Sequence, residues 1–71
     1  MEGADNQQYG ILALTIGRKL PLRVLGWGKD FFIGTADEEG PCSRESVEYF
    51  PERDMAEAAL ASGRWTQRYE P

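Results

Sequence analysis

The residues of this chain that could do chemistry are a lone thiol at Cys42, three adjacent carboxylates at Asp37-Glu38-Glu39, and the polar cluster Ser43-Arg44-Glu45-Ser46. A thiol acts as a nucleophile only beside an activating partner. Arg44 is close in sequence, but Asp37, Glu38, Glu39 and Glu45 surround Cys42 with negative charge, so the residue reads as a plain loop thiol. The three carboxylates could hold a hard cation such as calcium or magnesium. A cage, however, wants wider spacing and a glycine that turns the loop between its ligands, so a solvated loop tip is the simpler reading. The Ser43-Arg44-Glu45-Ser46 cluster has two readings. One is a recognition loop in which Arg44 grips a partner carboxylate or phosphate with two parallel hydrogen bonds. The other is a self-satisfied loop, with Ser43 and Ser46 bonded to nearby backbone and Arg44 paired with Glu45 or Glu48.

The chain has no histidine. It therefore lacks the commonest general base, the commonest metal ligand and the usual pH switch. One cysteine without histidine cannot build a zinc site, and no phosphate-binding loop, dinucleotide fingerprint or calcium-loop spacing is present. The sequence points to no catalytic constellation, no metal site and no cofactor, and so to a non-enzymatic protein.

Charge is the stronger signal. Residues 37–57 hold eight acids and two arginines, a net charge of −6, whereas residues 18–29 hold four bases and no acid, a net charge of +4. Such a split orients and accelerates encounters before it supplies any chemistry. Asp37, Glu38, Glu39, Glu48, Glu52, Asp54 and Glu57 form the expected contact surface for a protein partner with a basic face. Arg18, Lys19, Arg23 and Lys29, with Trp27 between two glycines at a strand end, form a second candidate patch. In so small a domain both tryptophans are expected to fill the core or its edge first; Trp27 is the more exposed candidate of the two, and an exposed Trp beside cations is a contact hot spot. The overall charge of −4 argues against free nucleic acid as the main ligand. The basic segment keeps a single-strand binder open, by charge and stacking on Trp27. A structural homodimer, pairing by sheet edges or helices, is the third reading.

These groups need a scaffold, and 71 residues supply one small domain. A chain of this length buries about 60% of its unfolded surface. A hydrophobic content of 41% with 28% charged residues fits an ordered globule. No apolar run is long enough to span a membrane. The polar, acidic start is not a signal peptide, and a single cysteine fits the reducing cytosol.

Residues 1–8 read as a flexible tail and residues 9–69 as the domain. Within it, Tyr9–Ile16 predicts a strand, since its apolar run is short and ends at Gly17. Leu22–Trp27 and Phe31–Ala36 predict two more, joined by short turns into an antiparallel meander. Residues 37–46 read as irregular, with Val47–Phe50 as a short fourth strand. Pro51 opens a helix whose stripe is Met55, Ala56, Ala59 and Leu60, and Gly63 caps it. Arg64–Tyr69 alternates like a terminal strand. The expected fold is α+β: a sheet of three to five antiparallel strands with one helix packed on one face, in the order β-β-β-(β)-α-(β). Its core is expected from Leu12, Leu14, Val24, Phe31 or Phe32, Ile33 and Trp65.

The stretch from Phe32 to Arg68 carries Gly34-Thr35, Gly40-Pro41, Ser43-Arg44-Glu45-Ser46 and Trp65-Thr66-Gln67-Arg68. In these it resembles small uncharacterised proteins of bacterial mobile elements and proteobacterial genomes, over about half of the chain. The resemblance transfers no catalytic residue. It implies a bacterial, cytoplasmic setting and a phage or plasmid origin. In style the chain also resembles small acidic inhibitors of host defence complexes, such as anti-CRISPR or anti-restriction proteins, which occupy basic nucleic-acid-binding surfaces.

Overall fold

A computed structural model describes residues 8–70. The expected 1–8 tail lies outside this range except for Gln8, whose carbonyl accepts from the Leu22 amide at 2.8 Å and so belongs to the fold. The elements run α1 (Ile11–Thr15), β1 (Arg23–Trp27), β2 (Asp30–Asp37), β3 (Gly40–Arg44) and α2 (Arg53–Ser62). The three strands form one antiparallel sheet in the order β1-β2-β3. The architecture is the expected small α+β meander with a helix on the sheet, built from partly different segments.

Trp27 pairs with Asp30, which leaves Gly28-Lys29 as a two-residue hairpin loop. Gly28 has φ 62° and, among the described residues, no other residue type takes a positive φ, which matches the type II′ turn that suits the twist of two strands. At the other end of β2, Asp37 pairs with Gly40 around Glu38-Glu39. Here the Asp37 carboxylate accepts from the Glu39 amide at 2.8 Å and holds the turn. This second hairpin turns the segment expected to be irregular into β3.

Strand alternation divides the sheet into two faces. Val24, Gly26, Phe31, Ile33, Thr35 and Ser43 share the first through the register of the ladder. Both helices lie there. Ala56 and Ala59 are the buried residues of α2, and the Arg53 guanidinium sits 5.4 Å from the centre of the Phe31 ring. The start of α1 lies over Thr35. The core consists of Leu12, Ala13, Val24, Phe32, Ile33, Ala56 and Ala59. Alanines in α2 let the helix approach the strands closely, which leaves Val24 and Ile33 to supply the bulk. Gly63, at φ 76°, ends α2 in the left-handed conformation as its position predicts.

Arg23, Leu25, Trp27, Asp30, Phe32, Gly34 and Arg44 share the second face. Neither helix covers it. Gly34 sits there between Arg23 and Arg44 on the neighbouring strands. A Cβ on Gly34 would collide with the Ser43 carbonyl oxygen and press on the Phe32 ring. Gly34→Ala is therefore expected to spread β2 from β3 and cost about 2–3 kcal/mol, the scale of overpacking in a tight core. A urea titration checks this by a lower midpoint with an unchanged slope.

Four expectations fail at the level of elements. Residues 11–15 are helical, because a buried carboxylate from distant Glu45 binds the first amides of the turn. Val47–Phe50 and Arg64–Tyr69 are not strands. Their strand-like pairing is limited to isolated bridges, Phe31 with Phe50 and Ser46 with Gln67. Leu14 is exposed and Trp65 half-buried, so neither belongs to the core.

Candidate functional site: an aromatic groove on the open sheet face

Two sites emerge from the residues with chemical potential, and they do different things. The first is a polar knot under α1. Glu45 is 0% exposed. Its Oε1 accepts from the Leu12 amide at 3.0 Å and from Gln67 Nε2 at 2.6 Å. Its Oε2 accepts from the Ala13 amide at 3.1 Å and from the Ser43 hydroxyl at 2.6 Å. No cation pairs with this carboxylate among the described residues. Burial alone pushes the Glu45 carboxyl up, but the hydrogen bonds from Ser43, Leu12, Gln67 and Ala13 outweigh it and hold the group below the usual glutamate value. Ser46, also 0% exposed, accepts from the Ile33 amide and donates to the Glu48 carbonyl.

The recognition-loop reading of Ser43-Arg44-Glu45-Ser46 is thereby corrected. The loop is turned inward, and its charge binds α1, β3 and the carboxy-terminal segment to one another. Arg44 does not pair with Glu45 or Glu48. Its Nη1 donates to the carbonyls of Ser46 and Val47 at 3.0 and 3.2 Å, and its guanidinium lies 4.7 Å from the centre of the Tyr49 ring. Carbonyls were the better partners because the loop aims them at β3 while Glu45 turns to the opposite face.

The knot makes stability depend on acid. The folded state holds the Glu45 proton more weakly than the unfolded chain, whose ordinary pKa is about 4.3. Its contribution is complete above that value and is lost as pH falls through the lower folded value. Glu45→Gln is expected to be clearly less stable than the parent at pH 7, and the gap is expected to close as the pH is lowered below about 4. Melting temperatures of both proteins across this range check it.

The second site is the open face. Trp27 is 70% exposed and Tyr49 48% exposed. With Phe32, Pro41, Cys42, Ser43 and Arg44 they line a shallow groove of about 250 Å³. Phe32 lies at its floor. The Tyr49 ring meets the Phe32 ring edge-on, at 6.0 Å between centroids and 76° between planes. Tyr49 is therefore held between Phe32 and Arg44, a geometry worth more than its buried area alone. Cys42 is a half-buried free thiol in the irregularity where β3 shifts register against β2.

No protein-family model, curated protein or solved structure matches the chain. The reading of the site rests on its geometry.

The acidic residues expected to form one surface are dispersed. Glu38 and Glu39 cap the β2–β3 hairpin, whereas Glu52 and Asp54 stand at the start of α2, beside the Phe31 end of β2. Six residues of strand separate the two groups, about 20 Å. Asp37 is spent on Arg18, at 2.6 Å, and that guanidinium holds its carboxyl below the ordinary value. Glu48 accepts the Thr66 amide through both oxygens, at 2.9 and 3.1 Å. Glu57 faces Arg53 at 3.7 Å. The basic patch divides as well. Arg18 joins the acidic hairpin, Lys19 lies 4.9 Å from the Tyr9 ring centre, Arg23 and Trp27 lie on the open face, and Lys29 stands in the turn after Trp27.

Phe32, Pro41 and Tyr49 were not foreseen as site residues. The signal that could have found them is alternation: once Trp27 is placed outward, its register carries Phe32 and Gly34 to the same face. Among the described residues, no group of three or more Cys, Asp or Glu side chains could hold a metal ion, and no helix is long and apolar enough to cross a membrane.

Proposed function

We propose that this chain is a non-enzymatic protein-binding module whose contact surface is the open sheet face around Trp27. The observation that carries the reading is the Trp27–Tyr49 groove. It is an exposed aromatic pair on the sheet face that neither helix covers, with one ring held in place by Arg44 and Phe32. A small domain uses its large side chains for packing first. One that leaves a tryptophan 70% exposed forgoes stability that binding recovers. The dispersed acids then steer approach and do not form the contact itself. The mobile-element inhibitor reading is a narrower form of the same proposal. It gains support only where the partner's basic surface lies beside an apolar anchor that fits this groove.

The test is partner capture by three variants. Trp27→Ala and Tyr49→Ala are expected to lose the partner. Glu52→Lys/Asp54→Lys is expected to retain it, with association slowed and made less salt-dependent. Loss in the lysine variant with retention in the other two would reject the proposal. Glu48 is unsuitable for such a charge reversal, because it holds the Thr66 amide.

A second reading, single-strand binding, is favoured by one observation: Arg23 and Arg44 flank Gly34 on the same face as Trp27. An oligonucleotide titration at low salt checks it.

A further inference from the structure

Building on this proposed binding role, we infer that the Trp27–Tyr49 groove takes a proline-rich peptide segment in the polyproline II conformation, flanked by a basic residue that meets the Glu38-Glu39 hairpin. The inference starts from the shape of the site. A groove of about 250 Å³ that is open to solvent is smaller than the pockets that enclose small molecules, about 300–1,000 Å³. It admits one or two side chains of a segment lying across it. Three aromatic rings contribute to its lining, exposed Trp27 and Tyr49 and buried Phe32, and Pro41 lies beside them. Proline rings pack on such surfaces, and a polyproline II segment arrives with most of its ordering cost already met.

Hydrogen bonding points the same way. A polyproline II segment has no internal hydrogen bonds and presents its carbonyls outward. The Trp27 indole N–H makes no hydrogen bond among the described residues, and neither does the Tyr49 hydroxyl. Both can donate to those carbonyls at the rim of the groove. The site is also preorganised, since Tyr49 is clamped between Phe32 and Arg44, and Arg44 is fixed by the Ser46 and Val47 carbonyls.

Charge selects the flank. Pro41 follows directly on the hairpin that carries Glu38 and Glu39, both exposed and without an ion-pair partner among the described residues. The chain as a whole is −4. A ligand with arginine or lysine beside its prolines is complementary to the hairpin and to the long-range field. A polyanion is not. Arg44 is already committed to two carbonyls, and Asp30 stands opposite Trp27 at the end of the hairpin that carries Lys29.

The experiment is selection of a phage-displayed random 12-residue peptide library on the immobilised full chain and, in parallel, on its Trp27→Ala and Glu38→Lys/Glu39→Lys variants. Circular dichroism establishes that both variants are folded. The expected result is convergence on peptides with two or more prolines and an adjacent Arg or Lys, recovered at least tenfold less on Trp27→Ala. On the lysine variant, the basic flank is expected to disappear from the selected peptides. Convergence on peptides without proline, again dependent on Trp27, would overturn the ligand class and leave the binding face standing. Peptides recovered equally on Trp27→Ala would overturn the face and the function proposed from it. Absence of any convergent sequence would overturn the ligand class. Binding of a twelve-residue oligothymidylate to the parent but not to Trp27→Ala would then assign the groove to single-stranded nucleic acid.

Discussion

Glu45→Ala is expected to detach α1 and bring the whole chain to the edge of unfolding. The carboxylate accepts from two backbone amides, one hydroxyl and one side-chain amide, all inside the fold. Truncation leaves these donors facing a cavity instead of an acceptor. A buried donor left unmatched costs about 1–3 kcal/mol, and here four donors lose their shared acceptor together. A chain of this size has about 4–10 kcal/mol in total, at about 0.05–0.15 kcal/mol per residue. The loss is thus a large fraction of everything that holds the molecule together. The damage has a direction. Leu12 and Ala13 lose the group that caps their helix, so their amides are expected to exchange with solvent far faster than those of Ile33 in the central strand. Hydrogen exchange followed by residue checks both parts. Protection of Leu12 and Ala13 unchanged in the variant would contradict the role given to Glu45. Gly10 belongs to the same construction: a Cβ there would lie 2.5 Å from the Glu45 Oε2 and collide with the Thr35 methyl. Gly10→Ala is expected to reproduce the detachment of α1 with the carboxylate intact.

Trp27→Ala is expected to have the opposite profile, with little effect on the fold and a large effect on binding. The side chain is 70% exposed, so its removal is expected to change stability by about 0.5 kcal/mol or less, as for other surface substitutions. As the anchor of the contact, its removal is expected to cost 2 kcal/mol or more of binding, about thirtyfold in affinity. Urea unfolding and partner titration on the same preparation separate the two quantities. A thirtyfold loss of affinity accompanied by an equal loss of stability would make Trp27 a structural residue instead.

The two predictions differ because the sequence conceals different things about the two residues. Trp27 was legible only in part. Its size favours packing in the core or at its edge, and only its place between two glycines beside the basic turns points outward, where the structure puts it. The β1–β2 hairpin, the buried Ala56 and Ala59 of α2 and the Gly63 cap were legible, since each rests on neighbours within a few residues, whereas Met55 of the expected stripe is exposed. Glu45 was not legible. Its partners lie 32 and 33 residues away in α1 and 22 away at Gln67. A glutamate amid Ser and Arg in a Gly-Pro-punctuated loop is the ordinary pattern of a solvated surface. The same long-range contact converts Ile11–Thr15 from an expected strand into a helix, because a capped first turn offsets the weak intrinsic preference of so short a segment. The arrangement of the acids was not legible for a different reason. Clustering along the chain is not clustering in space, and β2 carries the two groups to opposite ends of the sheet. Tyr49 became part of the site only through the Phe31–Phe50 bridge, which no local pattern encodes.

The central claim is that the open sheet face, and not the acidic helix, meets the partner. Site-specific photo-crosslinking tests it most directly. A benzophenone amino acid placed at Lys29, in the turn two residues from Trp27, and separately at Asp54, on the exposed start of α2, is irradiated in lysate of the source cells. The account predicts a discrete covalent adduct from position 29 that disappears when Tyr49→Ala is added, and none from position 54. An adduct from position 54 alone would place the contact on the acidic helix and contradict the account.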